Sequence, residues 1–377
     1  MAGGEQPQTL LPHQGKVTRI AAELGLRYDS ILMVITSAAE ATGTRTGLRP
    51  IDLHTDLRPI ADLIDEAFAD ELDASGRASL REMRSLARMG PLLYLMLPSG
   101  SDMGGFFRGF VWESGGQIVG NVTLQQLDEQ GKRWMIANVA VRQSYRGQGI
   151  ARTLMEAALD RIRQLGGDWV LLQVRQDNAV ACGLYERMGF AELVAETHLH
   201  APAVPSLPRQ PLPPGAEIFA LYDGDRSAMQ SLWRQAVPEV VRTWGVRRPN
   251  DLHQYSDSTV AQWWGRLTGQ GYRQRLGLWV DHSLMGVLDI DFKRRGEHRL
   301  NVLLHPQLAG QWDAPLLAHG LVRLRAQPDH PVSAVLYDYQ PDAVTAMQDF
   351  GFRRTTVLVT MRRRMRHLTE TDSDKRV

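Results

Sequence analysis

The feature that most constrains the fold is an internal repeat, because one order of sequence blocks occurs twice along the chain. The block Asn-Val-Ala-Val that begins at Asn138 matches the block Asn-Val-Leu-Leu that begins at Asn301, at an offset of 163 residues. Gly189-Phe190 matches Gly351-Phe352 at an offset of 162, so a single deletion separates the two pairs of blocks. The repeat is longer than the roughly 20 to 50 residues of solenoid units. We therefore interpret the 377 residues as two copies of one domain.

A proline-rich stretch separates the two copies. Residues 201–215 contain six prolines, and proline fixes φ and removes a backbone donor, so this stretch is predicted to be an extended linker. The start of the chain shows no sustained periodicity, and Met33 is an alternative start of the native protein. The predicted organisation is a weakly ordered extension, a first domain, the linker, a second domain and a tail, at residues 1–45, 46–200, 201–215, 216–365 and 366–377.

Composition excludes several classes of function. The net charge is +1, from 43 basic and 42 acidic residues, so there is no bulk attraction to nucleic acid or to an anionic membrane. The single cysteine, Cys182, excludes an internal disulfide framework and a cysteine-rich zinc site, and we predict no metal. No apolar run reaches the roughly 18 to 20 residues that a membrane span needs. We expect a cytoplasmic protein, and the sequence leaves its oligomeric state open.

Hydrophobic periodicity predicts a mixed α/β fold, of the α+β type with a mixed sheet, in each copy. In the first copy the helical spacing begins at Pro59, and alternating or continuous apolar runs predict strands bounded by glycine-containing turns. After the helix at Pro59–Asp70, the predicted elements are a helix at 80–93, strands at 105–113, 117–127 and 133–141, a helix at 150–165, a strand at 169–174, a helix at 179–188 and a last strand toward His200.

A glycine-containing loop between a strand and an amphipathic helix is typical of an anion site. The loop residues are Arg146, Gly147, Gln148, Gly149, Ile150 and Ala151. Without a Cβ, the two glycines let backbone N–H groups point at a ligand, and the unpaired N–H groups of the helix start add a partial positive charge. Arg142, Arg146 and Arg152 could add charge-assisted hydrogen bonds to a diphosphate.

Two other phosphate motifs fit this loop poorly. A P-loop needs Gly-Lys-Ser/Thr, which is absent. The dinucleotide fingerprint needs a small residue where Arg152 stands and an acid after the next strand, whereas Asp168 precedes that strand.

A wider set of motifs raises the specificity of the loop. Val139-Ala140-Val141 precedes Arg146-x-x-Gly149-x-Ala151, and both precede a segment that carries Asn178, Ala181, Tyr185 and Gly189-Phe190. In this order the motifs resemble the GNAT N-acetyltransferase superfamily, and by element order the resemblance covers residues 48–200. The resemblance implies two tandem GNAT-like domains, with acetyl-CoA as co-substrate of the first.

The resemblance also implies roles for these residues. The loop residues Arg146 to Ala151 would bind the diphosphate, and the backbone of Val139, Ala140 and Val141 would hydrogen-bond the pantetheine arm like an added strand. The N–H of Val139 would stabilise the oxyanion of the thioester. Tyr185 would protonate the departing thiolate, an effect on the order of 10² in rate. Asn178 would contact the pantetheine, or it caps the following helix.

The acceptor and its base are less well defined. Many members of the superfamily carry a glutamate on the strand that ends at Val141, and residues 134–138 of this chain contain no carboxylate. We predict acetyl transfer to a small-molecule amine, with a water relay through Asn138, and a low-pKa amine or a hydroxyl acceptor stays open. Because the carboxylate is missing, the alternative is a non-enzymatic acyl-CoA sensor. The acidic residues of the first helix could attract a cation, although a solvated face is the simpler interpretation: Asp62, Asp65, Glu66 and Asp70.

The second copy is predicted to be degenerate. Trp312 and Asp313 stand where the first copy has Gly149 and Ile150, so a large side chain and a negative charge replace the phosphate contacts. Met347 replaces the tyrosine and Gln340 replaces Asn178. We therefore expect a scaffold that packs on the first domain and helps to shape the acceptor site, although a site rebuilt for another ligand stays open.

Overall fold

A computed structural model describes the ordered elements of both copies. The described residues are 46–52, 55–69, 77, 80–81, 83–85, 108–207, 211–212, 214–244, 272–293, 296–327 and 329–365. The predicted extension, the tail and most of the predicted helix at 80–93 lie outside them. The chain divides into two compact units, Met1–Leu172 with Arg363–Val377, and Gln173–Arg362. We call them unit 1 and unit 2.

Unit 1 contains a sheet in the order β1-β2-β3-β4-β5. Neighbouring strands are antiparallel except β4 and β5, which are parallel. Its elements are β1 (Gly47–Pro50), α1 (Leu57–Ala67), β2 (Arg108–Ser114), β3 (Gln117–Gln126), β4 (Arg133–Val141), α2 (Ile150–Gln164) and β5 (Trp169–Arg175), the last of which continues into unit 2.

The helix that follows the glycine loop packs on this sheet at a residue without a side chain. A Cβ at Gly120 would lie 2.9 Å from a methyl of Ile150 and 3.0 Å from one of Leu154, so glycine on β3 lets α2 approach closely. The apolar face of α2 is buried as its periodicity predicts, and consists of Ile150, Leu154, Met155, Ala158, Leu159 and Ile162.

Unit 2 contains a sheet in the order β12-β6-β11-β10-β9-β8-β7. Its elements are α3 (Ala179–Arg187), β6 (Ala191–Ala201), β7 (Ala216–Ala220), α4 (Arg226–Ala236), α5 (Glu239–Trp244), β8 (Tyr272–Val280), β9 (Ser283–Phe292), β10 (His298–Leu304), α6 (Asp313–Leu324), β11 (Val332–Tyr337), α7 (Pro341–Asp349) and β12 (Arg353–Arg364). Leu317 of α6 and Met347 of α7 belong to one core cluster, and Leu232 of α4 belongs to another. The fold is the predicted α/β class, with tandem copies of one element order.

The strand β6 has both of its partners in unit 2. It pairs antiparallel with β11, where Ala201 lies opposite Val332, and with β12, where His200 lies opposite Arg353. The predicted domain limits at 46–200 and 216–365 assign β6 to the first domain, whereas the compact units divide within β5. The predicted limits, including the linker at 201–215, stay predictions. Within the described part of the chain, no helix has the length and apolar character needed to cross a membrane.

Candidate functional site

The loop before α2 has two glycines in the left-handed region. Gly147 and Gly149 both have φ of +79°, and Gly149 is the N-cap of α2. No atom lies within 4 Å of the place where a Cβ would stand on either glycine. The requirement for glycine is therefore conformational, and the space above the loop backbone is open to a ligand.

The first turn of α2 lacks the usual cap. No side chain hydrogen-bonds the helix start, and the first turn carries no acidic residue. The N–H groups at this end of a 15-residue helix therefore keep their partial positive charge. Gln148 and Gly149 are exposed, whereas Ile150 is buried. An uncapped, exposed helix start after two left-handed glycines is suited to bind a diphosphate.

The three arginines near the loop have protein partners. Nε of Arg146 donates to the carbonyl of Val141 at 3.1 Å, which folds its side chain back along the loop. Arg142 pairs with Glu66 at 3.2 Å and donates to Gln117 at 3.1 Å. Arg152 is exposed and pairs with Glu156 one turn along α2. Arg146 is the best placed of the three for the predicted phosphate contact, because its partner is a neutral carbonyl.

A β-bulge interrupts β4 next to the loop. Thr123 of β3 lies opposite Ala137, and Asn121 lies opposite Ala140, so Asn138 and Val139 together face the single residue Val122. Asn138 has φ of +52°, which is the left-handed region that asparagine tolerates better than most residues. A bulge disrupts the ladder locally and turns backbone groups away from their strand partner. The sequence predicted both residues as site residues but not the bulge.

A buried asparagine that sequence reasoning missed holds this bulge. Asn121 is 0% exposed, and its Nδ2 donates to the carbonyl of Asn138 at 2.9 Å. A second contact reaches Oγ1 of Thr123 at 3.3 Å. Its Oδ1 is buried without a hydrogen-bond partner among the described residues. The sequence feature that could have identified Asn121 is its position as the single amide side chain in the apolar run of β3.

Tyr185, the predicted proton donor, lies on α3 in unit 2 and is only 6% exposed. Its ring packs edge-on against Phe190, with centroids 6.1 Å apart. Burial raises the pKa of its hydroxyl to about 12, and the charge of Cys182 adds to the shift. The phenol is therefore protonated throughout the neutral range, as a general acid must be before it acts.

Asn178 is the N-cap of α3. Its side-chain oxygen accepts a hydrogen bond from the N–H of Ala181 at 3.1 Å. The capping interpretation is therefore confirmed. A contact between Asn178 and the coenzyme stays a prediction, as do the contacts of Val139, Ala140, Val141 and the loop residues 146–151.

The acidic face of α1 is partly neutralised. Arg84 donates to Asp62 at 2.9 Å and to Asp65 at 2.7 Å, and Glu66 pairs with Arg142. Asp70 lies outside the described residues. These pairs support the solvated-face interpretation and leave less free negative charge for a cationic acceptor. Across the described ranges, histidine, cysteine and carboxylate side chains form no cluster of three that could bind a metal.

The loop of the second copy is occupied by its own side chains. The carboxylate of Asp313 accepts the N–H of Gly310 at 2.7 Å, although Asp313 is only 5% exposed. Burial raises the pKa of this carboxyl. Trp312 is 8% exposed and belongs to the core. An internal carboxylate thus takes an amide that the open loop of the first copy leaves to a ligand.

Side-chain hydrogen bonds also occupy backbone groups at β10 of the second copy. Nε2 of Gln340 donates to the carbonyl of Val302 at 2.8 Å, where Val302 matches Val139 of the first copy. Oδ1 of Asn301, which matches Asn138, accepts the N–H of Val335 on β11 at 3.2 Å. The pairing of β10 with β9 runs without a bulge from Arg299 to Leu304. Side chains of the second copy thus hydrogen-bond backbone groups at its loop and at β10 and β11, and the degeneracy of this copy stays a prediction.

The sequence profile of the acetyltransferase (GNAT) family matches residues 80–190. The N-alpha-acetyltransferase 30 of Schizosaccharomyces pombe is 37% identical over 83 residues, which is 22% of this chain and 55% of that protein. The chain thus spans about half the length of this relative.

Two solved structures share the fold of the chain. A GCN5-related N-acetyltransferase from Sphaerobacter thermophilus has a TM-score of 0.57 at 16% identity, over 85% of this chain and 95% of that chain. A tandem GNAT protein from the clavulanic acid biosynthesis pathway, solved without AcCoA, has a TM-score of 0.54 at 17% identity, over 85% and 98%.

Proposed function

We propose that this chain transfers an acetyl group from acetyl-CoA to an amine, because residues 80–190 match the profile of the acetyltransferase (GNAT) family. The machinery lies in the first copy. The observation that carries the proposal is the open, uncapped loop at Gly147 and Gly149, because its unsatisfied backbone N–H groups match the diphosphate of the coenzyme.

The backbone after the bulge would hold the rest of the coenzyme. In the proposed complex the pantetheine arm hydrogen-bonds the main chain of Val139 to Val141, and the diphosphate lies on residues 146–151. The N–H of Val139 stabilises the oxyanion that forms on the thioester carbonyl, an effect worth roughly 10² to 10³ in rate for one donor. The bulge supports this role, because it takes Val139 out of the regular pairing with β3.

The reaction proceeds by direct attack. The neutral amine nitrogen bonds to the thioester carbon, the carbon–sulfur bond breaks, and the thiolate of CoA takes a proton from the phenol of Tyr185. The attacking nitrogen loses its extra proton to a water relay that Asn138 is proposed to hold, and the phenolate of Tyr185 regains a proton from water. The pKa of about 12 means that Tyr185 is always in its acid form, and that proton transfer depends on geometry more than on driving force.

The strand β4 favours an acceptor of low pKa. Residues 133–141 are all described and none is a carboxylate. This strand therefore carries no carboxylate that could act as the general base for a lysine-like amine. An α-amino group has a pKa near 8 and is neutral in about one molecule in ten at pH 7, against about one in 10³ for a lysine. We therefore propose an amine of low pKa as the acceptor, with a small-molecule amine as the first candidate.

A peptide α-amine is the second candidate acceptor. The relative named N-alpha-acetyltransferase 30 favours it, and the amine chemistry is the same. The difference between the two candidates is size, because a peptide needs room for the residues that follow its first amine.

Release of CoA thiol in the presence of single acceptors tests the proposal. One panel contains small primary amines with pKa values near 8 and near 10, and a second contains short peptides with free or blocked N-termini. We expect acceptor-dependent thiol release, faster with the low-pKa amines, and faster with small amines than with peptides. A preference for free peptide N-termini would support the second candidate. Binding of acetyl-CoA without acceptor-dependent release from any compound would favour the acyl-CoA sensor, which the missing carboxylate and the buried Tyr185 also fit.

A further inference from the structure

The buried amide of Asn121 lies on the face of β3 that meets α1. Cross-strand partners lie on the same face of a sheet, and the partner of Asn121 is Ala140. Ala140 belongs to the core cluster that contains Ile60 and Leu63 of α1. Asn121 thus lies on the face that carries this apolar cluster, and its Nδ2 donates to the carbonyl of Asn138 at the bulge.

This arrangement is unfavourable for stability alone. A buried amide oxygen without a partner has lost its hydration with no replacement, and Oδ1 of Asn121 has no partner among the described residues. An apolar residue of similar size would avoid this cost. A group that is retained against stability points to a functional constraint.

The second copy supplies the comparison within the same chain. Gly120 matches Gly286 on β9, and the next residue is Asn121 in one copy and Val287 in the other. The register agrees, because Asn121 pairs with Ala140 and Val287 pairs with Leu303. In the copy with valine at this position, the neighbouring strand β10 has no bulge. The loop that follows β10 has the N–H of Gly310 bound by the carboxylate of Asp313. The amide and the bulge therefore occur together in the copy whose loop is open.

We propose that Asn121 is a positioning residue for acyl transfer. This inference rests on the proposed function. By donating to the carbonyl of Asn138, the amide holds the bulge in its left-handed conformation and so fixes the direction of the N–H of Val139 toward the oxyanion. Asn121 acts through the backbone of β4 and does not itself contact the reacting atoms.

The test replaces the donor and follows both structure and rate. Asn121→Val copies the second copy and removes the unpaired oxygen, and Asn121→Leu keeps the size of the side chain but has no donor. We expect both variants to lower kcat at least tenfold and to raise the Kd for acetyl-CoA by a smaller factor, because the proposed diphosphate contacts at 146–151 stay intact. In the same variants, hydrogen exchange of the backbone amides at 137–141 should become at least tenfold faster, while the amides of α2 keep their rates. Thr123→Ser is the matched control, because it removes a methyl beside Asn121 but keeps the hydroxyl that accepts from Asn121 and Asn138, and it leaves the bond between Asn121 and Asn138 intact.

The outcomes separate this inference from the proposed function. Unchanged exchange at 137–141 in both variants would overturn the inference, and so would faster exchange with an unchanged kcat. An equal loss of kcat in Thr123→Ser would also overturn it, since packing around Asn121 and not its donor would then matter. If the unaltered chain bound no acetyl-CoA, the proposed function would fail, and the exchange data would still decide whether Asn121 holds the bulge.

Discussion

At the scale of single residues, burial sets the chemistry of Tyr185. The side chain is 6% exposed, and the shift of its pKa to about 12 comes first from burial. Its hydroxyl makes no hydrogen bond to another described residue, so nothing lowers that pKa. This environment keeps the proton on the phenol until a thiolate forms close to it.

Replacement of Tyr185 by phenylalanine tests its role. We expect Tyr185→Phe to lower kcat about 10²-fold, because the thiolate then leaves without a proton donor. The Kd for acetyl-CoA should stay within about twofold, since the ring is retained. Steady-state kinetics and calorimetry measure the two constants, and an unchanged kcat would remove Tyr185 from the mechanism.

Asp313 is a second buried acid, and unlike Tyr185 it binds a backbone amide. Its carboxylate binds the amide of Gly310, while burial raises its pKa above the usual value. A carboxyl whose folded pKa is raised stabilises the fold most when it is protonated, and that contribution is lost as the pH rises through the folded pKa.

Asparagine at position 313 should remove the part of the pH dependence of the free energy of unfolding that Asp313 contributes. We expect Asp313→Asn to raise the free energy of unfolding at pH 7, because the amide oxygen still accepts from Gly310 without a buried charge. The difference from the unaltered chain should shrink as the pH falls through the raised pKa of Asp313, where the carboxylate takes up a proton. Urea unfolding at several pH values measures this difference. A gain that is constant with pH would show that the charge of Asp313 is irrelevant.

At the scale of elements, periodicity predicted most of the first copy. The helix predicted at 150–165 occurs at Ile150–Gln164, and the strand predicted at 133–141 occurs at Arg133–Val141. Such segments are predictable because their buried faces repeat with the period of the element. The bulge was not predictable in this way, because it depends on a hydrogen bond from Asn121, which is 17 residues away from Asn138 in sequence.

The turn after α2 requires glycine at position 167, because a side chain there would clash with its neighbours. A Cβ at Gly167 would lie 2.5 Å from a methyl of Ile162 and 2.7 Å from the ring of Trp134, which is 1% exposed. We expect Gly167→Ala to destabilise the fold by about 1 to 3 kcal/mol, because neither neighbour has free space. Urea unfolding measures the change. A loss below about 0.5 kcal/mol would show that Trp134 can move aside.

At the scale of the whole molecule, the two copies share a fold and differ in whether their backbone groups are open to a ligand. The first copy has an uncapped loop, two open glycines and a bulge. In the second copy, the side chains of Asp313, Gln340 and Asn301 occupy the corresponding backbone groups. The sequence predicted the loss of the second site from Trp312 and Asp313. It did not predict that Gln340 binds the backbone of Val302, since that contact needs the pairing of distant strands.

Calorimetric titration of the full chain with acetyl-CoA tests whether the loop of the first copy binds the coenzyme. We expect one coenzyme per chain, and we expect Gly149→Trp to abolish binding because it places a side chain on the diphosphate amides. Gly166→Trp is the matched control, since Gly166 at the other end of α2 has φ of +76° and an equally open Cβ position. This control should bind with nearly unaltered affinity. Unchanged affinity in Gly149→Trp, or two coenzymes per chain, would contradict the account.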